Sequence, residues 1–245
     1  MASSELAVAR IAAFGELGVK DLASLEQMAA PVRQLGRGKT IRHEGDPEPK
    51  MYLLLSGWTE SSMLLPSGER QSIKVHLPGD LLGMPGLAMR YAPDTIRALT
   101  EVQVTTIEPR YIGGLFKTNP RIAAMLFLVS QEERVFLMDR LASVGRTGSL
   151  NRIAALIAQL SIRIGRQDRK PADSYFAPLT QSQIGDMTGM TAIHVNRTLH
   201  KLELANICIW RNRTVTIIDR IRLQELAGFP SRELAVDHSW LCDAC

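Results

Sequence analysis

The chain has 245 residues, 45% of them hydrophobic, and a formal net charge of +4. That length suits two domains or one large one, and the lack of an 18-residue apolar run excludes a membrane helix. No basic-then-apolar leader precedes residue 10 and the cysteines number three, so neither a secretion signal nor a disulfide framework is expected, and a cytoplasmic protein is the simplest reading.

Charge is unevenly placed. Residues 1–145 hold 16 basic and 16 acidic side chains, whereas residues 150–222 hold 11 basic and 5 acidic. A basic C-terminal part is the electrostatic footprint of a polyanionic partner, although a solvated basic face gives the same count.

In chain order, residues 5–30 carry two short helical patterns: Leu6, Val8, Ile11 and Phe14, then Leu22, Leu25 and Met28. Residues 39–108 read as a β domain. Turn residues recur at Gly45, Gly57, Gly68 and Gly79, spaced by 12, 11 and 11 residues, as in an antiparallel sandwich or jelly roll. Met51–Leu55, Ser72–Leu77, Thr95–Leu99 and Val102–Ile107 are its clearest strands, the last expected to have one solvated face. Pro109 and Gly113-Gly114 break the pattern. Asn119 as cap and Pro120 at the first position then start a long helix to about Val144. Its repeats are Ile122, Val129 and Phe136 with Met125 between, and Leu137, Leu141 and Val144 on another side. Either the helix is buried twice in one subunit, or one side forms a symmetric seam with a second copy. The second reading assigns Ile122, Met125, Val129 and Phe136 to the dimer helix.

Gly145, Thr147, Gly148 and Ser149 form a hinge, and Ser149 caps a helix from Leu150 to about Ile164. Arg166–Ser174 is a polar loop. Residues 179–202, LTQSQIGDMTGMTAIHVNRTLHKL, read as two short helices around a tight turn. Thr180 caps the first and Gln181 lies in its opening turn. Gly185 permits close crossing, Gly189 supplies a positive φ, and Thr191 caps the second helix. Val195, Leu199 and Leu202 form the inner stripe of that helix. Ala192, His194, Asn196, Arg197, His200 and Lys201 lie on its other face. The pattern fits an ordinary helical hairpin or a helix-turn-helix whose second helix enters a DNA major groove. Residues 205–218 follow as a two-stranded wing with Arg211 and Arg213 at its tip, able to reach phosphates. A last short helix spans 219–228.

Taken together these features resemble the Crp/Fnr superfamily of bacterial transcription regulators over roughly residues 20–225. The most specific matches are LPGDLLG at 77–83 and TAIHVNRTL at 191–199. The latter resembles the recognition helix of a subgroup frequent in alphaproteobacteria. The resemblance implies an α+β chain in three parts. A cyclic-nucleotide-binding-type β-roll with N-terminal helices takes residues 1–118. A dimerisation helix and hinge take 119–145, and a winged helix-turn-helix takes 146–245. The implied partners are double-stranded DNA, a second copy and RNA polymerase.

The resemblance also locates an effector pocket at Gly83, Met84, Asp94 and Thr95, and there the chain departs from the cyclic-AMP-binding pattern. Met84 stands where those members have Glu for a ribose hydroxyl. Asp94-Thr95 stands where they have Arg-Ser for the cyclic phosphate, and an acid at 94 repels that phosphate. Cyclic AMP is therefore not expected. No cysteine precedes Cys208, which argues against the iron–sulfur cluster of oxygen-sensing members. His76 is a lone haem-ligand candidate and reads as structural or surface-exposed. On the recognition helix, Arg197 keeps the family's guanine-reading position while Ile193 replaces a Glu. Asn196 suits adenine, Ala192 a thymine methyl, and His194 either a base, a phosphate or solvent. His238, Cys242 and Cys245 have spacing for a soft metal or redox pair, or form a frayed tail. No catalytic arrangement or metal cluster is visible. A cyclic-nucleotide module with a non-DNA output is the alternative, against which the arginine-tipped wing speaks.

Overall fold

The computed structural model describes residues 8–28, 31–47, 50–166 and 170–228. Among these, two compact units separate, the first including residues 8–70 and 74–132, the second 71–73 and 133–228. The tail bearing His238, Cys242 and Cys245 lies outside the described residues. Among those described, no helix is long and apolar enough to cross a membrane.

In the first unit a helical stretch at residues 8–12 precedes helix α1 (Val19–Met28) and eight strands, β1 (Val32–Leu35), β2 (Thr40–Arg42), β3 (Met51–Ser56), β4 (Thr59–Leu64), β5 (Arg70–His76), β6 (Leu81–Leu82), β7 (Thr95–Ala98) and β8 (Val102–Ile107). They form two four-stranded sheets, ordered β1-β8-β3-β6 and β2-β7-β4-β5. The period-two pleat sorts β3 between two cores. Tyr52 and Leu54 join Ile41, Ile96, Val102 and Val104 in one apolar cluster. Met51, Leu53 and Leu55 join a second, against the helices. With both faces covered, β3 reads as a continuous apolar run. The solvated face expected for the last strand is not there either, since Thr105 is buried.

Two helices follow, α2 (Pro109–Thr118) and α3 (Pro120–Arg146). Pro109 does not break structure: it occupies the first turn of α2, where its missing N–H costs nothing and its φ is already helical. Asn119 separates the two helices. Its side-chain oxygen accepts from the Ile122 amide at 3.2 Å, and its Nδ2 donates to Asp21 Oδ1 at 3.0 Å.

The assignment of the dimer seam is corrected by burial. Ile122, Met125 and Val129 are 0%, 4% and 2% exposed. They belong to the core that also holds Ile11, Phe14, Leu25, Met28 and Leu115 of the same chain. Phe136 is half-buried within the second unit. The apolar side chains that α3 leaves outward are Phe127, Leu137, Met138 and Leu141, between 42% and 75% exposed. Phe127 and Leu141 lie two heptads apart, and Met138 falls at the intermediate spacing.

The second unit continues with α4 (Ser149–Ile164), β9 (Ser174–Phe176), α5 (Gln181–Thr188), α6 (Ala192–Leu204), β10 (Cys208–Arg211), β11 (Thr214–Ile217) and α7 (Arg220–Ala227). The connection from α3 to α4 is only Thr147-Gly148. Gly148, not Ser149, is the N-cap of α4, with no side-chain bond. Ile153, Leu156, Ile157 and Leu160 form the buried face of α4. The segment read as a polar loop ends in a strand. β9 pairs with β11, so the wing has three strands in the order β10-β11-β9. Tyr175 fixes that strand, its buried hydroxyl donating to the Ile157 carbonyl at 2.8 Å.

Candidate nucleic-acid interface

Helix α5 starts where its first amides find a side chain. The Gln183 amide donates to Thr180 Oγ1 at 3.2 Å, and the Thr180 amide donates to Gln183 Oε1 at 2.9 Å. This reciprocal pair satisfies two donors that a helix start leaves open. The helix stops at Gly189, whose φ of 66° and ψ of 42° are left-handed, a conformation that glycine adopts without Cβ strain. Thr191 then caps α6, its Oγ1 accepting from the His194 amide at 3.3 Å.

Two glycines thus act differently at this turn. Gly189 supplies a backbone angle, and Gly185 supplies space. A Cβ on Gly185 would come closer than 3.0 Å to the Met190 carbonyl oxygen, nearer than real Cβ atoms approach. The start of α6 is therefore seated directly on the middle of α5.

Seating decides which face of α6 is presented. Val195, Thr198 and Leu202 are buried, and the Thr198 hydroxyl is satisfied by the His194 carbonyl at 2.8 Å. Leu199, expected inside, sits half-buried at the edge of that stripe. Outward stand His194, Asn196, Arg197, His200 and Lys201. Ile193 is also outward, 68% exposed. Ala192 is half-buried, so Ile193 is the better placed apolar group. The missed signal was spacing: 193, 197 and 200 repeat at i, i+4 and i+7 on one side of a helix. Thr180 and Gln181 are exposed at the start of α5, although the Thr180 hydroxyl and Thr191 hydroxyl are engaged as caps.

The wing tip is Asn212-Arg213, both with positive φ, 50° and 61°, as a two-residue hairpin turn requires. Arg213 is exposed there. Arg211 is exposed too, but its Nη2 lies 2.7 Å from Glu203 Oε1 on α6, so part of its charge is balanced within the chain. Cys208 starts β10 as a small core residue. Burial, with the Glu203 charge second, pushes its thiol up to about 12. It is a neutral thiol at physiological pH, not a thiolate ligand.

The effector positions of the first unit are brought together, but not as a phosphate cradle. Asp94 forms an ion pair with Arg42, and Arg42 also donates to the Lys50 carbonyl at 3.2 Å. Gly83, with φ 80°, lies against this arginine and that same carbonyl, leaving no room for a Cβ. The Thr95 hydroxyl accepts from the Glu44 amide at 3.1 Å and from Arg70 Nη1 at 3.0 Å. Met84 opens a short 3₁₀ turn and packs on the helix-side core. These residues do not fit a cyclic phosphate, because the one buried cation is already paired with a carboxylate. His76 is buried, not surface-exposed, and its Nε2 is 2.8 Å from Ser61 Oγ. Among the described residues, no group of three or more His, Cys, Asp or Glu is arranged to hold a metal.

Comparison with known proteins matches both units separately. Residues 32–119 match the model of the cyclic nucleotide-binding domain, and residues 151–226 that of the Crp-like helix-turn-helix domain. The chain is 28% identical over 227 residues to the transcriptional activatory protein AadR of Rhodopseudomonas palustris, covering 91% of each. It is 23% identical over 212 residues to the fumarate and nitrate reduction regulatory protein of Vibrio cholerae, covering 86% of this chain and 84% of that one. The structure of FixK2 from Bradyrhizobium japonicum superposes with a TM-score of 0.71 at 22% identity, over 82% of this chain and 98% of that one.

Gly185→Ala tests the seating. In an open helix the change gains about 0.5–1 kcal/mol, whereas here overpacking reverses the sign, with a net loss of about 1–3 kcal/mol. Scanning calorimetry should show the transition of the second unit moving down; an unchanged or raised transition would refute the close contact.

Proposed function

We propose that the chain is a transcription regulator of the Crp/Fnr family, since its two units match the cyclic nucleotide-binding and Crp-like helix-turn-helix domains, and that it acts as a homodimer on a palindromic operator, each copy placing α6 in a major groove. The observation that carries the reading is the outward face of α6, where Arg197 stands exposed beside Asn196 and Ile193. Arg197 bonds a guanine O6 and N7 with its planar fork, Asn196 reads an adenine, and Ile193 packs on a thymine methyl. His194 and Lys201 extend this surface. Thr180, Gln181, Thr191, Arg211 and Arg213 face the sugar-phosphate backbone, where contacts fix register and carry no sequence information. Arg213 has the larger part in this, since Arg211 shares its charge with Glu203.

Dimerisation uses the outward stripe of α3, with Met138 and Leu141 at its centre. Their exposure, 59% and 75%, is costly for a single chain and is relieved by a second copy. Two copies related by a two-fold axis read two half-sites, and the bound dimer contacts RNA polymerase. Cyclic AMP, haem and an iron–sulfur cluster are not part of this reading: Asp94 and Arg42 satisfy each other, His76 Nε2 lies 2.8 Å from Ser61 Oγ, and Cys208 is held as a thiol.

Arg197→Ala should remove selectivity, costing about 1–3 kcal/mol against the guanine-containing operator while leaving weak salt-dependent binding to unrelated DNA. A mobility-shift titration at fixed salt reads this, and unchanged selectivity contradicts the assignment. For the seam, Met138→Glu or Leu141→Glu should give a folded monomer in sedimentation velocity. Dimers that persist in both variants would place the interface elsewhere.

A further inference from the structure

The second unit contains a cavity of about 160 Å³ lined by α3, α4, the end of α5 and α7. Its walls come from Phe136 and Arg140 of α3, Ala155 and Gln159 of α4, Met187 at the end of α5, and Ala227 of α7. We propose that this cavity is a binding site for a small organic anion, a single-ring or short-chain monocarboxylate, whose occupancy alters operator affinity. The proposal rests on the chain being a DNA-binding regulator and places its effector in the DNA-binding unit.

Size and charge define the ligand class. An apolar cavity of roughly 150 Å³ holds one benzene ring, so this one takes one ring or a chain of similar volume. Its wall carries two guanidinium groups, Arg140 and Arg152, against one carboxylate, Asp139. The charge excess is therefore positive, and an arginine fork meets a carboxylate in plane. Arg140 donates to Gln159 Oε1 at 3.1 Å and to the Ile73 carbonyl. Burial, and then the nearby charge of Arg163, bring Arg140 down to about 10. It is still protonated at neutral pH, and an anion beside it offsets the cost of keeping it charged.

The coupling to DNA runs through Arg152. Its Nε donates to the Thr147 carbonyl at 2.9 Å, and its Nη1 to the carbonyl of Thr188 at 3.2 Å. The same guanidinium therefore borders the cavity and holds the end of α5 just before the turn into α6. A carboxylate that draws on Arg152 changes how that turn is held, and it shifts operator affinity by as much as it binds the two arrangements differently. The cavity side of α3, at Phe136, Arg140 and Ser143, is distinct from the outward stripe at Met138 and Leu141, so the seam and the site do not compete.

Isothermal titration of the full-length protein with benzoate tests the site, with benzamide as the neutral analogue of the same shape and inorganic phosphate as an anion without the apolar body. One benzoate should bind per chain, with benzamide at least tenfold weaker and phosphate giving no saturable heat. Ala155→Leu fills the cavity and should weaken benzoate at least tenfold. Ala158→Met serves the same purpose if the first variant melts early by circular dichroism. Arg140→Gln should bring benzoate down to the level of benzamide. Operator affinity should change at least threefold with saturating benzoate, and not in the filled variant. No saturable benzoate binding, or equal binding in the filled variant, overturns the site. Unaltered operator affinity alongside intact benzoate binding overturns the coupling. A protein that selects its operator but ignores benzoate refutes this proposal and leaves the DNA reading standing. A protein that binds benzoate and no DNA does the reverse.

Discussion

The absence of a side chain at Gly185 allows the Met190 carbonyl to rest on the middle of α5. That contact sets the rotation of α6 about its own axis, and the rotation determines which side chains meet solvent. With Val195, Thr198 and Leu202 turned inward, the positions at 193, 196, 197 and 200 have only one direction left. Threonine caps at 180 and 191 start both helices at defined residues, so the geometry does not depend on frayed ends. The polar face proposed to read DNA is thus a consequence of how the apolar face is held.

The long helix α3 divides its surface among several uses. Its first half contributes Ile122, Met125 and Val129 to the core of the first unit. Its second half, part of the second unit, lines the cavity there with Phe136 and Arg140 and leaves Met138 and Leu141 outward. A straight helix with 3.6 residues per turn presents such faces in succession. In the first unit the half-buried carboxylate of Asp94 neutralises the buried Arg42 from within. A fold can keep its architecture while its site loses the chemistry that names the domain.

Much of this was legible in the sequence, and the failures have physical causes. Caps, the left-handed Gly189 and the hairpin tip depend on local backbone chemistry, and each appeared where threonine, glycine or asparagine indicated. The strand Ser174–Phe176 has three residues, too few for a periodic signal, and exists because β11 offers it an edge. Pro109 reads as a breaker in the sequence because proline ends a helix and also begins one. For a seam on α3, periodicity does not say which of its apolar sides meets the same chain, and Ile122, Met125 and Val129 pack in the chain's own core. The Arg42–Asp94 pair joins residues 52 positions apart; the sequence showed the acid at 94 but not its partner.

In the proposed complex two copies of α6, related by a two-fold axis, read one operator. Hydroxyl-radical footprinting of the full-length protein on its selected genomic site tests it most directly. Two protected patches are expected on one face of the duplex, symmetric about a centre and about one helical turn apart. A single patch, or protection without symmetry or sequence boundary, would contradict it.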